Sequence, residues 1–151
     1  MAVTPYDEAY SKSHCELPYT REEPHWTEFF GSVARNIDER LSPKTVFDAG
    51  CAIGLLVEAL RNRGVIAFGR DISQYAISQV PAGLTSFCEQ GSITDPIEGN
   101  YDLVTCIAVL EHMAAIEAKS AIANLCSAAP NILFSSSPTD FSQGTHINVQ
   151  P

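Results

Sequence analysis

The chain has 151 residues, 45% hydrophobic and 18% charged, with a net charge of −9. This is the size of one domain, which buries roughly two thirds of its unfolded surface and so has a real core. The nine Lys and Arg residues are scattered, which argues against a nucleic-acid backbone as partner, since that requires clustered cations.

No apolar run approaches ~18 residues, so no membrane span is expected. The start, MAVTPYDEAY, has neither a basic n-region nor an apolar h-region, so no secretory signal is expected and a cytoplasmic protein is. The five cysteines (Cys15, Cys51, Cys88, Cys106 and Cys126) include no CxxC pair. Cys106 and Cys126 fall in apolar stretches, so buried reduced thiols are expected. His14-Cys15 has no second pair at ligand spacing, and no metal is expected.

Residues 1–23 mix Tyr, Pro, Ser and charges without a period and read as an irregular arm, ahead of a domain over 24–151. Tyr6, Tyr10, Leu17 and Tyr19 are available to pack the arm down. A helix is predicted from Pro24, with Trp26, Phe29, Phe30, Val33, Ile37 and Leu41 on the face that covers the sheet. Ser42-Pro43 ends it. Thr45–Val65 then reads as strand, tight turn and helix: Val46 and Phe47 end a strand at Asp48, and Gly50 and Gly54 bracket the turn. Leu55, Leu56, Ala59 and Leu60 recur at helical spacing up to Gly64. Glycines there permit close approach, and the open helix N-terminus behind them makes a socket for a polar or anionic ligand.

A second strand, Val65–Gly69, ends at Asp71; a short helix runs from Ile72-Ser73 to Ile77; and Leu84–Cys88 is a third strand. Gly91–Asn100 is turn-rich. Tyr101–Val109 is a nearly unbroken apolar run of the kind buried on both faces of a parallel sheet. Glu111–Ala128 reads as one helix with Ile116, Ile122 and Leu125 on its apolar face, and Asn131–Ser135 as a fifth strand before a loop-like tail. This alternation predicts a parallel, doubly wound α/β sheet, whose ligands sit at the carboxyl ends of the strands. Asp48, Asp71, Ser92 and the segment Ile107–His112 all fall there. Asp71, 17 residues after Gly54, is placed to accept from both hydroxyls of a ribose, or to cap the short helix. Asp48 is placed to brace the turn through backbone N–H groups, or to reach a cationic ligand through water.

The ordered series VFDAGCAIG, GRDIS, GSITDP and YDLVTCIAVLEHM resembles the motifs of the class I S-adenosylmethionine-dependent methyltransferases, of the bacterial small-molecule type. The likeness runs from about Val46 to Pro138. It implies a Rossmann-like, mostly parallel sheet with helices on both faces. It also implies S-adenosylmethionine as cofactor and S-adenosylhomocysteine as product. By the resemblance, Gly50, Cys51, Ala52 and Gly54 lie along the cofactor's methionine part. Asp71 holds the ribose, and Ile72 lies against the adenine. Ser92-Ile93 stands where the family often has an Asp for the adenine amino group. Ile107 and Ala108 line the methyl-transfer site, and Tyr19 and Arg21 reach toward the cofactor carboxylate.

The chain departs from the pattern at three places. Ala52 replaces the middle glycine of D-x-G-x-G-x-G, and is expected at negative φ. Ser92 replaces the usual Asp. The family sheet has two further strands after the fifth, which this sequence lacks, so a fragment is expected, or a partner (a second copy included) on that edge. The implied reaction is direct displacement onto an O, N or C atom of a small-molecule acceptor. If the acceptor carries a proton, His112 and His146 are the candidate bases; a residue that orients its loop and a plain surface loop are the alternatives. Two rival readings are a nicotinamide-dependent oxidoreductase and a non-catalytic cofactor-binding domain. The first is disfavoured because the glycines do not read G-x-G-x-x-G.

Overall fold

The computed structural model describes residues 6–13, 17–138 and 145–149; His14 and Cys15 lie outside them. Five strands, β1 (Thr45–Ala49), β2 (Ile66–Asp71), β3 (Cys88–Gln90), β4 (Leu103–Ile107) and β5 (Ile132–Ser135), form one all-parallel sheet in the order β3-β2-β1-β4-β5. The expected sheet is therefore present, and the order reverses between β1 and β4. Chains leaving those two strands part company, which opens a crevice at their carboxyl ends.

Alternation along the strands divides the core. Val46, Ala67 and Leu103 pack on one face with Ile37 of α2 (Pro24–Leu41) and Leu56, Val57 and Leu60 of α3 (Leu55–Asn62). Phe47, Ala49, Val104 and Cys106 pack on the other with Ala121, Leu125 and Ala128 of α5 (Ala115–Ala128). Fully buried side chains such as Leu56 and Leu60 each stabilise the fold by about 1.5–3 kcal/mol. Asp48 and Thr105 are register partners on β1 and β4, so a carboxylate and a hydroxyl meet inside an otherwise apolar sheet.

Several sequence expectations are corrected. The arm is not wholly irregular: α1 (Glu8–Ser13) forms where the Asp7 carboxylate accepts from the Tyr10 N–H at 3.0 Å. Helix α2 packs on α3, and Phe30, Val33 and Ile37 reach the core cluster on that face of the sheet as expected, joined by Ala34. Ala34 and Ile37 are buried in consequence, while Phe29 and Leu41 stay 42% and 56% exposed. The third strand is Cys88–Gln90, not Leu84–Cys88, because successive turns occupy 81–87; Leu84 and Phe87 pack on the core from those turns. The segment Glu111–Ala128 is not one helix. A single 3-10 turn, Leu110–His112, is followed by extended Met113 and Ala114, and α5 starts only where Glu117 accepts from the Ala114 N–H. On α5 the small residues face the sheet and let the helix approach, which leaves Ile116 and Ile122 outside. Among the described residues Cys126 is exposed, against expectation, and Cys51, Cys88 and Cys106 are buried free thiols. No helix among the described residues is long and apolar enough to cross a membrane.

Candidate active site

The turn after β1 is stitched to the end of β2. The Gly50 and Cys51 N–H groups both donate to the Arg70 carbonyl, at 2.8 and 3.1 Å, and the Ala52 N–H donates to Asp71 Oδ2 at 2.8 Å. Gly50 has φ +81°, and a Cβ there would stand 2.4 Å from Val109 Cγ2, so only glycine fits. Ala52 also lies in the left-handed region, at φ 46°, against the expectation of a negative angle. An L residue there is strained by roughly 1 kcal/mol, and the Asp71 hydrogen bond holds the strained peptide in place.

The turn is therefore braced by Asp71 and the Arg70 carbonyl, and not by Asp48 as the sequence suggests. Asp48 is buried, and its Oδ1 accepts from the Thr105 hydroxyl at 2.7 Å. Burial pushes its pKa up to about 7; the Asp71 charge adds to the rise and the Thr105 bond opposes it. Asp71 is raised by burial too, against the pull of the Ser73 and Ala52 N–H groups on its carboxylate. The cap of the short helix α4 (Gln74–Ser78) is Ser73, whose hydroxyl accepts from Ala76 N, so Asp71 is not that cap. Each Asp71 oxygen takes one backbone N–H and keeps a second lone pair for a ligand hydroxyl.

A cavity of about 690 Å³ opens over these ends, within the range of small-molecule sites. Of the residues singled out in the sequence, Tyr19, Asp48, Gly50, Cys51, Ala52, Asp71, Ile72, Ser92, Ile93, Ile107, Ala108, His112 and His146 line it. Gly54 and Arg21 do not. Gly54 sits under the turn at the start of α3, where a Cβ would stand 3.2 Å from Cys88 Sγ. Arg21 donates to Glu58 and to the Ile53 carbonyl, and its Nε is buried with no protein partner. The Ser92 hydroxyl is shared with Thr94, at 2.7 Å to its hydroxyl and 3.1 Å from its N–H, so it caps its own turn.

Two groups of wall residues were not expected. Tyr6 and Tyr10 of the arm meet the His112 ring edge to face, with centroids 5.7 and 6.2 Å away, and Tyr6 donates to the His112 carbonyl at 3.2 Å. The i, i+4 spacing of these tyrosines is the available signal, too short to stand out in an aperiodic segment. Trp26, Phe29 and Phe30 of α2 also line the cavity, Phe30 while packing against the core cluster on the sheet. His112 and His146, distant in sequence, come together with ring centroids 4.7 Å apart. The His112 Nδ1 lies 3.1 Å from the Thr145 carbonyl; a carbonyl only accepts, so Nδ1 carries the proton of the neutral ring and the lone pair belongs to Nε2. Arg70 also lines the wall, but its guanidinium is held by Glu89 and the Ser92 and Pro96 carbonyls. The cavity thus presents the carboxylates of Asp48, Asp71 and Glu117 and the imidazoles of His112 and His146 to a ligand.

A family model described as a methyltransferase domain matches residues 21–144. Ubiquinone biosynthesis O-methyltransferase from Pseudomonas paraeruginosa is 34% identical over 87 residues, covering 51% of this chain and 38% of that protein. The chloroplastic magnesium protoporphyrin IX methyltransferase of Arabidopsis thaliana is 33% identical over 113 residues, 69% of this chain and 36% of that one. Among solved structures, magnesium protoporphyrin IX methyltransferase (ChlM) from Synechocystis with bound S-adenosylhomocysteine superposes with a TM-score of 0.58 at 27% identity, covering 68% of this chain and 51% of that one. The same protein with bound S-adenosylmethionine gives 0.56. The chain spans about half the length of that structure and less of these curated relatives. With the glycine turn, the two strand-end acids and the sheet order in place, the chain belongs to the methyltransferase domain family, whose cofactor is S-adenosylmethionine.

Proposed function

We propose that this protein transfers the methyl group of S-adenosylmethionine to an oxygen atom of a small-molecule acceptor by direct displacement. One observation carries the reading: Asp48 and Asp71 share the cavity wall beside the glycine turn, and the wall's guanidinium is already held by its own partners. A phosphate-bearing nucleotide would meet two carboxylates there, whereas a sulfonium joined to a ribose suits both. The residues therefore fit the cofactor, which when bound supplies an activated methyl and a neutral thioether leaving group.

Asp71 is the proposed ribose acceptor, through the lone pairs its backbone bonds leave over. Ile72 and Ile93 flank the adenine, and Ser92 bounds it through the turn it caps. Gly50, Cys51 and Ala52 shape the bed of the methionine part, with Gly54 supporting the turn from beneath and Tyr19 toward the cofactor carboxylate. Ile107 and Ala108 close the methyl-transfer end and exclude water. Asp48 stabilises the cationic form before transfer and loses that partner once the charge is gone, so it favours exchange of product for fresh cofactor more than it speeds the chemical step.

The acceptor end is walled by Tyr6, Tyr10 and His112, which suits a flat, partly apolar molecule; the names of the relatives favour an oxygen acceptor. An imidazole lone pair of His112 or His146 would take the proton of its hydroxyl, while the bound cofactor would supply the methyl group and keep on sulfur the electron pair of its broken carbon–sulfur bond. The reduced buried thiols suit a cytoplasmic setting. Phe134 is exposed on the edge strand β5, and self-association along that edge belongs to the same proposal. Calorimetry with S-adenosylmethionine, S-adenosylhomocysteine and NADH, followed by a product-release assay over a panel of phenols, tests the function. Binding of NADH alone refutes it. Binding of S-adenosylhomocysteine with no turnover on any acceptor reduces it to a cofactor-binding domain.

A further inference from the structure

We propose that Glu111, His112 and His146 form a divalent-cation site at the acceptor end of the cavity, suited to an acceptor that offers two adjacent oxygen atoms. One carboxylate oxygen and one nitrogen from each imidazole lie within 4.8 Å of one another. The donor set, two imidazoles and a carboxylate, suits Zn²⁺, Mn²⁺ or Fe²⁺, and three protein ligands leave positions open for an acceptor.

Each ligand is oriented by a neighbour. The Glu111 carboxylate is almost wholly buried at 1% exposure, and it accepts from the Ser136 hydroxyl at 3.1 Å and the Ser137 N–H at 3.2 Å, one bond to each oxygen. These are neutral dipoles. They fix the carboxylate's position and leave each oxygen a further lone pair for a cation. His112 has its Nδ1 on the Thr145 carbonyl, the arrangement that turns Nε2 toward a metal. The segment bearing His146 is tied to the residue that supplies the carboxylate: the Ile147 and Asn148 N–H groups donate to the Glu111 carbonyl at 2.8 and 3.0 Å. A buried carboxylate, two half-buried imidazoles opposite it and a shared backbone tether distinguish this cluster from a chance meeting of surface acids.

His112 and His146 face the same cavity as the glycine turn, so a cation held there meets the acceptor rather than the cofactor's ribose. It lowers the pKa of an oxygen it holds, so that with the cation bound the proton passes to water and the imidazoles act as ligands instead of bases; a second adjacent oxygen makes the hold bidentate. That consequence rests on the methyl-transfer reading; the cation site does not.

The test is a titration of chelator-treated protein with Co²⁺, read by its visible ligand-field absorption, and with Zn²⁺ by calorimetry, for wild type, His112→Ala, His146→Ala and Glu111→Gln. The expected result is one saturable site, weakened at least tenfold in each variant, with an unchanged far-UV circular dichroism spectrum and cooperative melting of His146→Ala as the check on its folding. Absence of saturable binding, or equal binding in wild type and a folded His146→Ala, overturns the site. Loss of S-adenosylhomocysteine binding in the wild type would instead overturn the methyl-transfer reading. With Zn²⁺ present, catechol is expected to bind at least tenfold tighter than phenol; equal affinities overturn the adjacent-oxygen assignment.

Discussion

Asp48→Asn isolates the charge buried beside the cofactor turn. Asn keeps the shape and an oxygen for the Thr105 hydroxyl, but cannot ionise. In the folded, cofactor-free protein Asp48 is raised from 3.8 to about 7, chiefly by burial. Between those values the native state holds a proton that the unfolded chain has lost. Native protein therefore binds more protons, and stability falls as pH rises through this window. The penalty is absent below the unfolded pKa and complete above the folded one, where it amounts to roughly 4 kcal/mol at ~1.4 kcal/mol per pH unit.

Urea unfolding of cofactor-free protein at about pH 5 and about pH 8 reads the effect. Wild type is expected to lose roughly 2–3 kcal/mol more than the variant between those conditions, or roughly 5–10 °C in melting temperature. The preference for S-adenosylmethionine over S-adenosylhomocysteine is expected to rise with pH through 7 in wild type and to stay flat in Asp48→Asn, since only ionised Asp48 distinguishes a sulfonium from a thioether. Parallel pH profiles for the two proteins would refute the reasoning.

Asp71→Ala is expected to weaken S-adenosylhomocysteine binding at least tenfold by calorimetry, and to cost about 1–3 kcal/mol of stability by leaving the Ala52 N–H unpaired; an unchanged affinity in the folded variant sinks the ribose assignment. Gly69→Ala puts a Cβ 2.5 Å from Cys51 Cβ under the cofactor turn, and should cost about 1–3 kcal/mol or more in denaturant, whereas wild-type stability would show that the turn can shift. Phe134→Lys on the β5 edge should reduce any concentration-dependent association seen in sedimentation; identical behaviour of the two proteins counts against association through that edge.

Periodicity and punctuation in the sequence determined the class of the fold. Strand-type runs ending at Asp48, Asp71 and Ile107 alternate with helical spacing, and a parallel sheet then puts all three ends on one side. The glycine turn was legible for the same reason: Gly50 and Gly54 follow a strand and open a helix, and chain connectivity alone fixes that. Other features depended on what packs against what. Leu84 and Phe87 are apolar because turns press them onto the core, which a strand pattern cannot distinguish. Ala118 and Ala121 join the expected Leu125 against the sheet, while Ile116 and Ile122 stay outside, because small side chains admit closer approach. Asp71 rather than Asp48 braces the turn, since that depends on which carboxylate the Ala52 N–H reaches across two strands. The meeting of Glu111 and His112 with His146, and of Tyr6 with His112, joins residues far apart in the chain. No local propensity encodes such a contact, and only the tertiary structure decides it.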